Sequence, residues 1–294
     1  MNTQQHMAST LRNPHAPFSP ALQSSFEAHI EWALAEDVGT GDVTGRLIPA
    51  DQMETARVIV REPAVLCGAP WFEAIMQRVD ARIQLDWAYA EGDLMEADSV
   101  VCHLQGPARA LLTAERTALN FLQLLSGVAT ATRRYVDLIA GTRAAILDTR
   151  KTLPGLRLAE KYAVRVGGGQ NQRLALYDGI LIKENHILAA GSIAAALKAA
   201  AEVSGGVPIQ IEVESLDELQ QALDAGATSV LLDNFSLDNL TAAVELTAGR
   251  ALLEASGGIR HDTVRAIAQT GVDRISVGSL TKDIQAVDYS LRIV

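Results

Sequence analysis

Between residues 144 and 280 one pattern occurs six times: AAILDTR (144–150), GILIKENH (179–186), PIQIEVES (208–215), SVLLDNF (229–235), ALLEASGG (251–258) and RISVGSL (274–280). Each is a short apolar run that ends in a polar residue and leads into a helix-like stretch. The closing polar residues Asp148, Lys183, Glu212, Asp233, Ser256 and Ser279 recur every 21 to 35 residues, the size of a strand–helix unit. The runs are continuously apolar rather than alternating, which predicts parallel strands covered on both faces. Six units predict an α/β barrel or part of one, with these polar residues at the carboxyl ends of the strands, where barrel enzymes keep their chemistry. A doubly wound open sheet shows the same alternation but gathers its functional groups at one switch point; here nearly every strand ends in one.

Upstream the grammar differs. Residues 21–37 repeat Phe26, Ile30, Ala33 and Leu34 at helical spacing, and Val38-Gly39-Thr40-Gly41-Asp42 is a loop. Short β-prone runs at 57–60, 83–87 and 100–104 are separated by Gly, Pro and Asp, with a turn at Glu91-Gly92-Asp93. Residues 110–139 form a long helical region in which Gly127 is expected to end one helix and start another. The last dozen residues, DIQAVDYSLRIV, add one more helix or strand. The expected organisation is a mobile arm (1–25), an N-terminal α/β domain (26–140) on which the tail (282–294) packs, and a barrel domain (141–281).

With 294 residues, 48% of them hydrophobic and 20% charged, the chain is globular. A net charge of -10 argues against a nucleic-acid surface. No apolar stretch is long enough to span a bilayer. The Ala-rich run Ile193–Val203 contains Lys198 and Glu202 and reads as an amphipathic helix. The polar, Pro-containing N-terminus lacks the apolar core of a signal peptide, so a cytoplasmic protein is expected. Cys67 and Cys102 read as buried free thiols.

Residues 148–186 run against the overall charge. Arg150, Lys151, Arg157, Lys161, Arg165, Arg173 and Lys183 face only Asp148, Glu160, Asp178 and Glu184, giving +3 here and -13 elsewhere. The stretch also holds Gly167-Gly168-Gly169, where backbone can approach a ligand. It reads as a pocket for a small, highly charged anion. At Arg150 a guanidinium can grip a carboxylate bidentately, Lys151 supplies a point charge, and Arg173 and Lys183 could complete a cage. Arg157, Lys161 and Arg165, taken singly, read as solvated surface charges.

Glu212 and Asp233 place carboxylates in β-runs, which is costly unless they are paired or bind metal. Either they hold Mg²⁺ together with water or phosphate, or they pair with the cationic island. Glu214 is expected to face away from Glu212. Ser256-Gly257-Gly258 and Val277-Gly278-Ser279 are tandem glycine turns on the last two units, suited to a phosphate. Arg116 alone reads as a surface charge and His186 as a structural hydrogen-bonding residue. There is no Ser/His/Asp order, no metal-spaced His/Cys set and no Walker loop.

EDVGTGDVT, ERTALNFLQLLSGVAT, DTRKTLPGLRLAEKYAV, LYDGILIKENHI, IEVES, LLDN, EASGGI and VGSLTKD, in this order, resemble the quinolinate phosphoribosyltransferase family, the decarboxylating nicotinate-nucleotide pyrophosphorylases of NAD synthesis. The resemblance covers nearly the whole chain beyond the N-terminal arm. It implies an N-terminal α/β sandwich plus an open, incomplete α/β barrel, in a homodimer (or a hexamer built from it) where Arg116 reaches into the partner's pocket. It implies transfer of phosphoribosyl from phosphoribosyl pyrophosphate to quinolinate with decarboxylation, assisted by Mg²⁺. Arg150, Arg173 and Lys183 would hold the two carboxylates of quinolinate, with Lys151 between the two substrates. Glu212 and Asp233 would serve the ribose hydroxyls and Mg²⁺, so that Lys151, Lys183, Glu212 and Asp233 form the catalytic set. Ser256, Gly257, Gly258 and Gly278 would cradle the 5′-phosphate.

Gln172 joins the binding set with a departure: the family usually shows Asn-His-Arg where this chain has Asn171-Gln172-Arg173. Gln donates a hydrogen bond but carries no charge, which counts against a charged or proton-shuttling role there. Ala175 replaces a usual glycine. The rival readings are a Schiff-base aldolase with Lys183 as nucleophile, a related transferase acting on another aromatic acid, and a non-catalytic module that binds phosphoribosyl pyrophosphate.

Overall fold

A computed structural model describes residues 10–294. The chain folds as two units. One runs through Ala131 and includes Leu158–Gly167 and Ile284–Val294; the other comprises Thr132–Arg157 and Gly168–Asp283. Residues 1–9 of the expected arm lie outside the described residues. From Thr10 onward the chain is fastened rather than loose. Trp87 N donates to Thr10 Oγ1 at 2.8 Å, Glu91 N donates to the Arg12 carbonyl at 3.0 Å, and the Phe18 ring meets Phe26 and Tyr162 edge-on. Helix α1 (Pro20–Asp37) starts inside the expected arm because Ser19 caps it, accepting from Leu22 N, and Pro20 opens the first turn, where no N–H is needed.

The first unit continues with β1 (Met53–Val60), β2 (Ala64–Val65), α2 (Ala69–Val79), β3 (Gln84–Trp87), β4 (Leu94–Met95), β5 (Val100–Pro107) and α3 (Ala108–Leu138). Helix α3 runs 31 residues without a break, which corrects the expected division at Gly127. Gly127 is there for contact, not termination: a Cβ on it would collide with the Gln285 carbonyl oxygen.

The remaining elements are β6 (Ala145–Leu147), α4 (Arg157–Val166), β7 (Ile180–Ile182), α5 (Glu184–Ala190), α6 (Ile193–Val203), β8 (Ile209–Val213), α7 (Leu216–Asp224), β9 (Ser229–Asp233), α8 (Leu237–Thr247), β10 (Leu252–Ser256), α9 (Val264–Gln269), β11 (Arg274–Ser276), α10 (Ser279–Lys282) and β12 (Tyr289–Ile293). The tail is therefore a strand. It pairs antiparallel with β1 at the edge of a four-stranded sheet ordered β12-β1-β5-β3.

In the second unit six parallel strands are ordered β6-β11-β10-β9-β8-β7. From β7 to β11 neighbours in sequence are neighbours in the sheet, and the first strand, β6, joins the last, β11. That is barrel winding, without the order reversal of a doubly wound sheet. The barrel is open between β6 and β7. There the extended strip at Gln170 makes a single parallel bridge to Leu147. Serine starts the crossover helices in turn. Ser192 accepts from Ala195 N, Ser215 from Glu218 N and Ser236 from Asn239 N, at 3.1 to 3.2 Å. Among the described residues no single helix is long and apolar enough to cross a membrane.

Candidate active site

The polar residues that close the apolar runs stand at the carboxyl ends of the barrel strands. Lys183 follows β7 and Glu212 lies in β8, its neighbour. The Lys183 ammonium donates to both Glu212 oxygens, at 2.8 and 3.0 Å. The glutamate side chain is 11% exposed and the lysine 45%, so the pair lines the rim with the carboxylate underneath. This geometry holds Lys183 in a two-oxygen ion pair, which is unlike the free nucleophile an aldolase needs. The expectation that Glu214 faces away is corrected. Positions two apart share a strand face, and Glu214 lies just past β8, lining with Glu212 a recess of about 230 Å³. His186 is structural, its Nδ1 accepting from Lys183 N at 2.9 Å.

Arg150 follows β6, and Arg173 stands on the strip that crosses the barrel opening. Partial burial, and then the charge of Arg150, lower the Arg173 pKa from its usual value, with Asp178 acting the other way. The two guanidinium groups are thus near enough for their charges to repel. The Nε of Arg150 is buried and has no hydrogen-bond partner among the described residues. A buried charged donor left unmatched is costly, and an anion between the arginines would satisfy it. Arg173 also donates to the Gly179 carbonyl at 3.0 Å, which ties the strip to the start of β7.

At the other side of the barrel Lys151 lies along Gly278. A Cβ at Gly278 would stand 3.2 Å from Lys151 Cδ and 3.9 Å from its Nζ. Asp233 and Ser256 are in register across β9 and β10. Asn234, in left-handed backbone at φ 56°, donates from its side chain to Asp233 at 2.7 Å and from its N–H to the Ser256 carbonyl at 2.9 Å. Gly257 and Gly258 both have positive φ, and a Cβ on Gly257 would overlap the Asn234 side chain. Only glycine fits a backbone packed this way, and it leaves N–H groups available to a phosphate.

Gln172 precedes Arg173 on the strip. Its side chain turns into the barrel lumen and donates to Gln210 Oε1 at 2.9 Å. Gln210 donates to Glu254 at 2.9 Å, and Ser276 donates to the other Glu254 oxygen. Gln172, Gln210 and Glu254 line a cavity of about 370 Å³ that also touches Arg173 and Arg274. Arg116 belongs to the first unit, on α3, with an exposed side chain 3.9 Å from Glu115.

The sequence reading missed several residues that hold this site. Arg157, read as a surface charge, donates to Thr152 Oγ1 at 3.1 Å and lies 3.5 Å from the carbonyls of Arg150 and Leu174, joining two loops that carry cations. Lys161, in the first unit and apart from this set, is buried, not solvated, at 1% exposure. Asp148 accepts from Asn171 Nδ2 at 2.6 Å and from Gln172 N at 2.9 Å, which anchors the strip. A charged residue flanked by apolar ones within a β-run, as in LLEAS, was the available signal for Glu254. Nothing comparable marks Arg157, whose partners are distant loop atoms.

Strand-end cations, paired carboxylates and glycine turns around one barrel mouth define a site for anionic, phosphate-bearing substrates. The C-terminal domain described as Quinolinate phosphoribosyl transferase matches residues 128–292, and the N-terminal domain of the same description matches residues 42–126. The chain belongs to this family. It is 41% identical to the probable nicotinate-nucleotide pyrophosphorylase (carboxylating) of Bacillus subtilis, over 88% of this chain and 90% of that one. It is 40% identical to the nicotinate-nucleotide pyrophosphorylase (carboxylating) of Mycobacterium leprae, over 89% and 95%. The solved nicotinate-nucleotide pyrophosphorylase of Francisella tularensis superimposes with a TM-score of 0.90 at 46% identity, covering 92% of this chain and 96% of that one.

Proposed function

We infer that this chain transfers the phosphoribosyl group of phosphoribosyl pyrophosphate to quinolinate with loss of CO₂, giving nicotinate mononucleotide and pyrophosphate. Family membership and the names of relatives at about 40% identity support the reaction. The observation that carries the substrate assignment is the buried, unmatched guanidinium N–H of Arg150, with the charge of Arg173 nearby. A pyridine with adjacent carboxylates supplies acceptors for both arginines, and Lys183 stands at the mouth of the same barrel.

The ring nitrogen attacks the anomeric carbon while the carbon–oxygen bond to pyrophosphate breaks and the leaving group takes the electron pair. Positive charge develops on the ribose, and the Glu212 and Asp233 carboxylates are suited to stabilise it. The alkylated nitrogen then accepts electron density as the 2-carboxylate leaves as CO₂, and the ring carbon takes a proton. The cations must hold the dicarboxylate without over-stabilising the carboxylate that departs, since only differential binding raises the rate.

Mg²⁺ would enter this site as a companion of pyrophosphate. Glu212 and Asp233 would supply oxygen ligands to it. Mg²⁺ commonly takes one or two carboxylates and completes its shell with phosphate and water; bound so, it would neutralise the leaving group's charge. Arg116, exposed on α3, is proposed to enter the pocket of a second copy in a homodimer. Mixing Arg116→Ala with Lys183→Ala subunits should then restore part of the activity that each lacks. A cytoplasmic location, where both soluble polyanions would be met, belongs to the same reading.

The direct test incubates purified protein with quinolinate, phosphoribosyl pyrophosphate and Mg²⁺. Release of CO₂ with formation of nicotinate mononucleotide is expected. Binding of phosphoribosyl pyrophosphate without turnover would overturn the assignment.

A further inference from the structure

We propose that the hydrogen-bond chain Ser276–Glu254–Gln210–Gln172 through the barrel lumen is a directional strut that positions Arg173 for the dicarboxylate substrate. It rests on the transfer reaction above, and wild-type turnover is the control that separates the two.

The barrel lacks a strand between β6 and β7, and the strip that replaces it meets the sheet at a single bridge rather than along a full ladder. On one side the strip is held by backbone: Gln170 N donates to the Ile146 carbonyl at 2.8 Å, and Asp148 N to the Gln170 carbonyl at 3.2 Å. Asp148 carboxylate oxygens take Asn171 Nδ2 and Gln172 N. On the lumen side the Gln172 side chain donates to Gln210 Oε1. The next residue is Arg173.

The polarity of this chain is set at its far end. Glu254 is 1% exposed, and as a carboxylate it only accepts. It already receives Ser276 on Oε1, so Gln210 must offer its NH₂ to Oε2. That orientation turns the Gln210 oxygen toward residue 172, which must therefore donate. Glutamine does so without titrating. Position 172 thus requires a donor, not a charge, and Gln172, Gln210 and Glu254 act as positioning residues rather than as substrate contacts.

A carboxylate at 172 meets the Gln210 oxygen acceptor to acceptor. Gln210 cannot relieve this by flipping, because its oxygen would then face Glu254. Changing Glu254 to glutamine removes the conflict: its NH₂ serves the flipped Gln210 oxygen, and the whole chain runs in reverse. The expected result is a rise of at least about tenfold in the quinolinate KM of Gln172→Glu, the scale of one misdirected charge-assisted bond. The KM for phosphoribosyl pyrophosphate should move by less than about threefold, since those contacts lie elsewhere on the mouth. The double variant Gln172→Glu/Glu254→Gln should recover most of the lost quinolinate affinity. Should Gln172→Glu not fold, Gln172→Met, near in size but without a donor, carries the same KM expectation. An unchanged quinolinate KM in the folded single variant, or a double variant no better than Gln172→Glu, would overturn the proposal.

Discussion

The interior of the first unit and the lumen of the barrel are filled by opposite means. In the first, Trp71 is fully buried, and its ring lies 5.0 to 6.4 Å from those of Phe18, Phe26, Phe121 and Tyr162. In the second, the space between strands is crossed by Gln172, Gln210, Glu254 and Ser276. Aromatic burial is worth several kcal/mol per side chain and tolerates small shifts. A hydrogen bond contributes only about 1 kcal/mol net but fails when its direction is wrong. The difference teaches a division of labour: one interior stabilises, the other orients. The barrel sacrifices apolar filling beneath its mouth and gains a fixed floor.

The sharpest break of this contrast is Trp71→Ala. Loss of the central ring should cost roughly 3–5 kcal/mol in urea unfolding, while the molecules that remain folded keep their quinolinate KM. A large KM change at unaltered stability would place Trp71 in the wrong class.

Glu91 is one exception inside the first unit, a carboxyl at 1% exposure that accepts from Gly68 N and Tyr162 Oη at 2.8 and 3.0 Å and from Ala69 N at 3.2 Å. Burial raises its pKa from 4.5 to about 7, and the hydrogen bonds from Gly68, Tyr162 and Ala69 only partly counter this. Below pH 4.5 the carboxyl is protonated whether the chain is folded or not, and stability is full. As pH rises toward 7 the unfolded chain releases its proton first, so stability falls, and the loss levels off at about 3 kcal/mol above the folded pKa. Glu91→Gln should flatten this slope in unfolding curves taken at pH 5 and pH 8. A wild-type protein that grows more stable over that interval would reverse the sign of the argument.

In the second unit the corresponding break is chemical. Arg150→Ala should lower kcat/KM for quinolinate at least about tenfold with little change in melting temperature, because its Nε already lacks a partner in the fold. A melting point that drops as far as that of Trp71→Ala would show that Arg150 holds structure instead.

What could be read from the sequence follows the same contrast. The barrel was legible because βα units repeat, and β6, β7, β8, β9, β10 and β11 each carry the apolar run that announces them. The cationic stretch was legible because charge is counted without knowing geometry. Gln210 and Arg157 were not: an isolated Gln in IQIEVE looks like strand punctuation, and its partners lie 38 and 44 residues away in sequence. Side chains whose meaning is a direction appear only once the strands are placed. Ordering of the arm from Thr10 was equally hidden, since backbone contacts to Trp87 and Glu91 leave no periodic trace.

Gly127 gives the smallest and most diagnostic test, because two local rules disagree there. Helix propensity favours alanine over glycine by about 1 kcal/mol in mid-helix, so Gly127→Ala would stabilise α3 if the site were open. The new methyl instead meets the Gln285 carbonyl oxygen, with the carbonyl carbon at 3.2 Å; backbone cannot rotate aside as a side chain can, and overpacking of this kind costs about 1–3 kcal/mol. The expected balance is a net loss of about 1 kcal/mol, smaller than the overpacking term alone suggests. The strain should appear in the tail, where Val287 N donates to the Gln123 carbonyl at 3.1 Å just before β12 joins β1. Amide exchange at 289–293 should quicken while that of β8, β9 and β10 stays as it was. A variant more stable than wild type, with β12 exchange unchanged, would mean that Gly127 is an unspent helix defect and not the seat of the returning strand.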